Sequence, residues 1–149
     1  MGNACSLNGD HVLSINEAAE TLRVVVPPVR CCCCVCFCLF WDESFPLRAI
    51  VNVDTMPDEA RWNLQRACYF KGNRLGRRTY GQARFAWGGP LYLFSVTDYR
   101  QTLGITLEEG QRFSRLIVQV SPWEDPKAVA DKLREAAETA RKSCHTSEL

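Results

Sequence analysis

Six of the chain's nine cysteines fall within eight positions: Cys31, Cys32, Cys33, Cys34, Cys36 and Cys38. That spacing argues against a disulfide-stapled fold, because adjacent cysteines close small strained rings and join no distant parts of a chain. No N-x-[ST] acceptor occurs, and no basic stretch leads into an apolar core with a small-residue cleavage site. A reducing, cytosol-facing setting is the better reading. The cysteines sit in the most apolar stretch, residues 24–41, which Pro27-Pro28 and Arg30 interrupt. Only 11 residues run from Cys31 to Trp41, against about 20 needed to span a bilayer. The expectation is a segment that dips into one leaflet and does not cross.

The opening Met1-Gly2-Asn3-Ala4-Cys5-Ser6 fits the M-G-x-x-x-[ST] pattern, in which Gly2 accepts myristate after Met1 is removed. Thiols beside an apolar, aromatic-ended stretch are where reversible S-acylation occurs, so Cys5 and the six clustered cysteines are candidate palmitate sites. One myristoyl chain holds a protein only marginally, at about 10⁴ M⁻¹, and a stable anchor takes two signals. Metal is the rival use of the cluster. Cys31 with Cys34, or Cys33 with Cys36, has C-x-x-C spacing, and His11 or His145 offers a further ligand. A structural zinc site brings two ligand pairs from separate stretches, whereas Cys68 and Cys144 stand alone, so no metal site is expected.

At 149 residues the chain suits one domain with an appended segment, and its 46% apolar and 23% charged residues mark it as globular. Residues 1–46 read as the acylated anchoring segment. Within it Ser14-x-x-Glu17 resembles a capping box, and Ile15, Ala18, Ala19, Leu22 and Val26 share a helical face. Such a helix either lies on the bilayer or packs on the domain, and both readings stand. Residues 47–143 read as a compact α+β interaction domain, with 144–149 a flexible tail.

Within 47–143, a strand is expected over 47–53, then a helix entered at Asp54 with Met56, Ala60, Leu64, Ala67 and Cys68 on its buried face. Residues 71–78 read as a polar loop. Gly88-Gly89-Pro90 signals a hairpin between strands at 79–87 and 91–96. Strands follow at 103–107 and 113–120, and a final helix carries the stripe Val129, Leu133, Ala136, Ala137 and Ala140. The fold expectation is an antiparallel sheet of about four strands with two or three helices on one face.

The net charge of +1 conceals a basic block. From Ala60 to Thr97 no acidic residue occurs, while Arg61, Arg66, Lys71, Arg74, Arg77, Arg78 and Arg84 do, interleaved with Tyr69, Phe70, Tyr80 and Phe85. On an anchored protein such charge suits anionic lipid, each cation near the leaflet adding about 1 kcal/mol. The same block suits RNA phosphates, with aromatics for stacking, and the bland reading is a solvated surface. Trp62, Trp87 and Trp123 read as core or sheet-face residues.

An enzyme is not expected. The two histidines, His11 and His145, lie near the ends, Cys68 reads as core, and Gly72-x-x-x-Gly76 lacks the Gly-Lys-Ser/Thr ending of a phosphate loop. No cofactor is implied. The ending Ser147-Glu148-Leu149 has the hydroxyl and terminal aliphatic side chain that a PDZ domain captures.

The Met-Gly opening, the Cys-Cys-Cys runs and the Cys36-Phe37-Cys38-Leu39 step resemble the acylated N-terminus of small viral accessory proteins, nearest the hepatitis E virus small phosphoprotein family involved in virion release. The resemblance covers about the first 40 residues, is compositional, and ends where that family becomes proline-rich. It implies a lipid-anchored accessory protein. The expected strand–helix–strand–strand–strand–helix order is loosely similar to the tombusvirus silencing suppressors, which hold small duplex RNA on a sheet, though no motif matches residue by residue.

The reading is thus a non-enzymatic, myristoylated and palmitoylated adaptor on the cytosolic face of host plasma or Golgi membranes. Anionic lipids and a host or viral protein would be its partners. The alternatives are an RNA-binding suppressor of host defence using residues 61–84, and a metal-binding regulator using the cysteine cluster.

Overall fold

A computed structural model of the chain describes residues 5–6, 12–26, 29–31, 34–36, 41–62, 64–75 and 78–147. The first six strands are β1 (Cys5–Ser6), β2 (Val12–Asn16), β3 (Thr21–Val26), β4 (Val29–Cys31), β5 (Cys34–Cys36) and β6 (Trp41–Pro46). The next six are β7 (Ile50–Thr55), β8 (Tyr69–Leu75), β9 (Arg78–Arg84), β10 (Tyr92–Val96), β11 (Thr102–Leu107) and β12 (Arg115–Gln119). One α-helix, α1 (Pro126–Ser147), follows. The strands form a six-stranded sheet in the order β7-β11-β12-β10-β9-β8 and two three-stranded sheets, β2-β3-β6 and β1-β4-β5.

This corrects the expectation of about four antiparallel strands with two or three helices. The large sheet is mixed, because β12 inserts between β11, its antiparallel neighbour, and β10, to which it runs parallel. The helix expected from Ser14 is instead the β2–β3 hairpin. The run Thr21-Leu22-Arg23-Val24-Val25-Val26 is β-branched at four of its six positions, and it buries Leu22 and Val24 while exposing Arg23. Residues 17–20 make the turn, with the Asn16 side chain accepting the Ala19 N–H and Glu20 at φ 53°.

The helix expected after Asp54 is replaced by two short 3₁₀ turns, Asp58–Arg61 and Leu64–Arg66. Met56 takes a left-handed φ of 47° and Pro57 is extended, so the chain leaves β7 by a kink. The loop expected at 71–78 is largely strand: β8 and β9 pair antiparallel, and Gly72 faces Gly81 there. A Cβ on Gly72 would stand 2.1 Å from the Tyr80 carbonyl oxygen, so only glycine permits that crossing. The loose order similarity to the tombusvirus suppressors rested on the missing helix and goes with it.

The expected hairpin around Gly88-Gly89 is β9–β10, with Gly88 at φ 70°. The final helix is α1, entered at Asp125, whose side chain accepts the Lys127 N–H, with Pro126 at the first helical position. The main core lies on one face of the large sheet, where Leu103, Ile105, Leu116 and Val118 meet the α1 stripe of Ala130, Leu133, Ala137 and Ala140. Arg134 ties α1 to the sheet by donating to the Val53 carbonyl oxygen. Leu22, Val24 and Phe45 join this same core, with Phe45 edge-on to Phe113 at 6.1 Å. Hydrophobic packing therefore runs across the expected boundary at residue 46. On the other face Leu64, Ala83, Phe94, Val96 and Ile117 make a second, smaller core.

Candidate functional site

Two arrangements bring the chemistry-bearing residues together. The first is the small sheet β1-β4-β5. Its register sets Cys5 opposite Cys31 and Cys31 opposite Cys34, so three cysteines form one row across three strands. Cys36 lies opposite Val29 on β4, and Ser6 opposite Arg30. The candidate residues Gly2, Cys32, Cys33 and Cys38 lie outside the described residues. Cys68 and Cys144, each half-buried, are elsewhere: the Cys68 thiol lies 3.3 Å from the Arg84 carbonyl oxygen, and Cys144 sits on α1. No helix among the described residues is long and apolar enough to cross a membrane.

The second arrangement is a cleft of about 250 Å³ on the sheet face of the smaller core. Leu64, Phe94 and Val96 form its apolar floor, and Trp62 makes one wall. Thr79 of β9 and Thr97 just beyond β10 come together because Thr79 pairs with Val96. Arg61 ends the first 3₁₀ turn with its guanidinium 5.2 Å from the centre of the Tyr99 ring, and Arg100 approaches the same ring at 5.9 Å. A hydrogen bond and charge from Arg100, and then from Arg61, hold the Tyr99 phenol below its ordinary range.

The basic block is divided by this geometry. Arg61 is in the cleft wall, and the strand ends bearing Arg74 and Arg78 adjoin it, since Arg74 pairs with Thr79. Arg77 lies outside the described residues. Arg66 and Lys71 are exposed on the second 3₁₀ turn and on β8. Arg84 is half-buried and donates to the Gly89 carbonyl oxygen, bracing the hairpin turn. Arg100 is not part of the expected set; pairing of β11 with β7, which sets Leu103 opposite Thr55 and bonds the Met56 N–H to the Thr102 carbonyl oxygen, brings it beside the turn that bears Arg61.

Trp87 and Trp123 depart from the core or sheet-face reading, whereas Trp62 packs on the sheet face. Trp87 is 88% exposed beside the Gly88-Gly89 turn, Trp123 is exposed ahead of α1, and Trp62 is partly so while edge-on to Phe85 at 4.9 Å. Tyr69 and Phe70 are exposed at the start of β8, which is an edge strand. Arg61 and Tyr99 line the cleft at the Thr79 end of this face, while the exposed aromatics Tyr69, Phe70 and Trp87 lie toward the Arg84 end of β9. On the same face an ion-pair network centres on Arg115. Its Nη2 donates to Asp54 Oδ2 at 2.8 Å and Glu59 Oε2 at 3.0 Å, and its Nη1 to Thr106 Oγ1 at 2.7 Å. Burial pulls this guanidinium down, but hydrogen bonds and charge from Asp54 and Glu59 outweigh it and hold it above its ordinary value.

Of the tail residues, Ser147 ends α1 and Leu149 lies outside the described residues. No family model matches the chain, and neither a curated protein nor a solved structure is significantly similar to it.

Proposed function

We propose that this chain is a non-enzymatic peripheral membrane adaptor, held on the cytosolic leaflet by myristate on Gly2 and by thioester-linked acyl chains on the cysteine cluster. The observation that carries the reading is the row Cys5–Cys31–Cys34. It puts Cys5, three residues from the myristate acceptor, in backbone register with Cys31 and Cys34 of the cluster, so one encounter with a membrane presents both signals to an acyltransferase. Two chains then hold where one is marginal. The Thr79 end of the sheet, with Arg61, Arg74, Arg78 and Arg100, supplies attraction to anionic headgroups. Exposed Trp87 has the amphipathic ring favoured at the headgroup level.

The test is metabolic labelling with myristate and palmitate analogues, followed by fractionation. Gly2→Ala is expected to abolish myristate labelling and to lower palmitate labelling by removing the encounter step. Serine at Cys31–Cys34, Cys36 and Cys38 is expected to keep myristate but leave membrane association weak and reversible. Gly2→Ala protein that stays wholly membrane-bound would refute the ordering.

RNA binding is the second reading. It draws on the same cleft, where Arg61 and Trp62 offer a phosphate partner and a stacking face. Duplex RNA and phosphatidylserine vesicles offered to the chain at the same near-physiological salt separate the two. Duplex binding with no vesicle binding supports the RNA reading.

A further inference from the structure

A groove runs along the opposite side of the molecule, between β2 and α1. At one end it encloses about 630 Å³ against Leu13 to Glu17 of the β2 side, and at the other about 350 Å³ against Glu20 and Leu47. The helical wall is one stripe of α1, from Val129 through Lys132 and Ala136 to Ala140. Four consecutive β2 residues, Leu13 to Asn16, line the strand wall, with Glu17 of the turn beside them. Neighbouring strand residues point to opposite faces, so a cavity touching all four meets the strand at its edge. Among the described residues β2 is an edge strand of its sheet, so on that side its backbone N–H and C=O groups have no described strand neighbour.

We propose that this groove binds an extended, lysine- or arginine-bearing peptide segment of a partner protein, which adds to β2 as a fourth strand. Three observations converge on that occupant. The strand wall spans about 16 Å and the helical stripe about the same, which is the reach of about five extended residues. The floor is apolar and half-covered: Leu13, Ile15, Val129 and Ala136 pack on the main core yet stay partly open, giving alternate side chains of an added strand something to sit on. The rim is acidic. Glu17, Glu20, Glu124 and Glu135 line it with Lys132 as the one cation, and none of the four glutamates forms an ion pair among the described residues. Strand addition supplies affinity through the main chain, while the rim selects the sign of the side chains. The inference does not draw on acylation: among the described residues, no acylation candidate lines the groove.

The test uses the full-length chain and three probes. One is an acetylated, amidated heptapeptide alternating lysine and valine. The second is its glutamate–valine counterpart. The third is a pair of lysine–valine peptides N-methylated at odd or at even positions, each of which blocks one edge of an extended strand. The lysine peptide is expected to bind saturably by fluorescence anisotropy and the glutamate peptide not to bind. One N-methylated peptide, and not the other, is expected to lose binding. Glu17→Lys with Glu135→Lys, both exposed positions, is expected to weaken binding by about tenfold or more with an unchanged thermal midpoint. Equal binding of both N-methylated peptides, or of the double variant, would show a merely acidic surface and overturn the strand-addition site. So would failure of the lysine peptide to bind. A concentration-dependent dimer that the lysine peptide disperses would assign the groove to a second copy of this chain and overturn the partner named here.

Discussion

Gly104→Ala should destabilise the protein by breaking an ion-pair network rather than by straining the backbone. A Cβ at this position would stand 2.3 Å from Arg115 Nη2 and 2.8 Å from Arg115 Cζ. The guanidinium is the movable end of a long side chain, so it would swing away and the steric cost would be small. The electrostatic cost would not be. Leaving this position forfeits the bonds to Asp54 Oδ2 and Glu59 Oε2, with Arg115 only 14% exposed and Glu59 18%. Breaking a fully buried pair costs about 3–5 kcal/mol, and an exposed pair contributes about 0–1 kcal/mol. With Asp54 at 38% exposure, a loss of about 2 kcal/mol is the appropriate scale. Against it, replacing glycine by alanine in a strand returns about 0.5–1 kcal/mol, leaving a net loss of about 1–1.5 kcal/mol. In an Arg115→Ala background the guanidinium is already gone, so Gly104→Ala should become neutral or stabilising. Urea denaturation of the wild type, both single variants and the double variant measures this coupling, expected near 2 kcal/mol. Losses that add to within about 0.5 kcal/mol would show that Gly104 serves some purpose other than making room for Arg115.

Leu22→Ala should cost about 2–5 kcal/mol in the single unfolding transition, because Leu22 is fully buried in the core shared with α1. An unchanged main transition by calorimetry would show that the N-terminal hairpin folds apart from the rest. Tyr99 should titrate below an ordinary phenol in ultraviolet difference spectra, and Arg100→Gln should move it upward. A lowered folded-state value means that the native protein loses this proton first, so stability should increase as pH rises through the Tyr99 titration. An Arg100→Gln spectrum identical to wild type would refute the cause assigned. Arg74, Arg77 and Arg78 changed together to glutamate should weaken binding of the unacylated chain to phosphatidylserine vesicles, with the difference fading as salt is raised. Unchanged vesicle flotation would return that end of the sheet to a solvated surface.

Where local chemistry decides, the sequence can be read directly. Gly88-Gly89 marks a turn because one residue needs a positive φ; Ser121-Pro122 and Asp125-Pro126 both read as helix entries, and the helix takes the second, where the cap and the missing N–H both suit it. Residues 14–26 mislead because Ile15, Ala18, Ala19, Leu22 and Val26 match a helical stripe, while Leu22 and Val24 flanking Arg23 match a strand. Burial of both Leu22 and Val24 decides for the strand. The polar composition of 71–78 hides β8 and β9, whose pairing depends on two glycines meeting across the ladder. Insertion of β12 between β10 and β11 is a matter of long-range pairing that no local window carries. The same limit applies to the cleft. Arg61 stands out in the basic block, but Tyr99 and Arg100 join it only through the pairing of β11 with β7, which sets Leu103 opposite Thr55. Trp87 reads as a core or sheet-face residue because tryptophan is on average well buried, whereas its place beside a two-glycine turn leaves it open to solvent.

The most direct test of membrane anchoring is the intact mass of the full-length chain purified from cells, before and after hydroxylamine. The account predicts a species carrying one myristoyl group and further acyl chains, the latter lost in acyl-sized steps because hydroxylamine cleaves thioesters and spares the amide at Gly2. Elemental analysis of the same sample should find no stoichiometric zinc. An unacylated chain with one zinc bound and every clustered cysteine unmodified would contradict it.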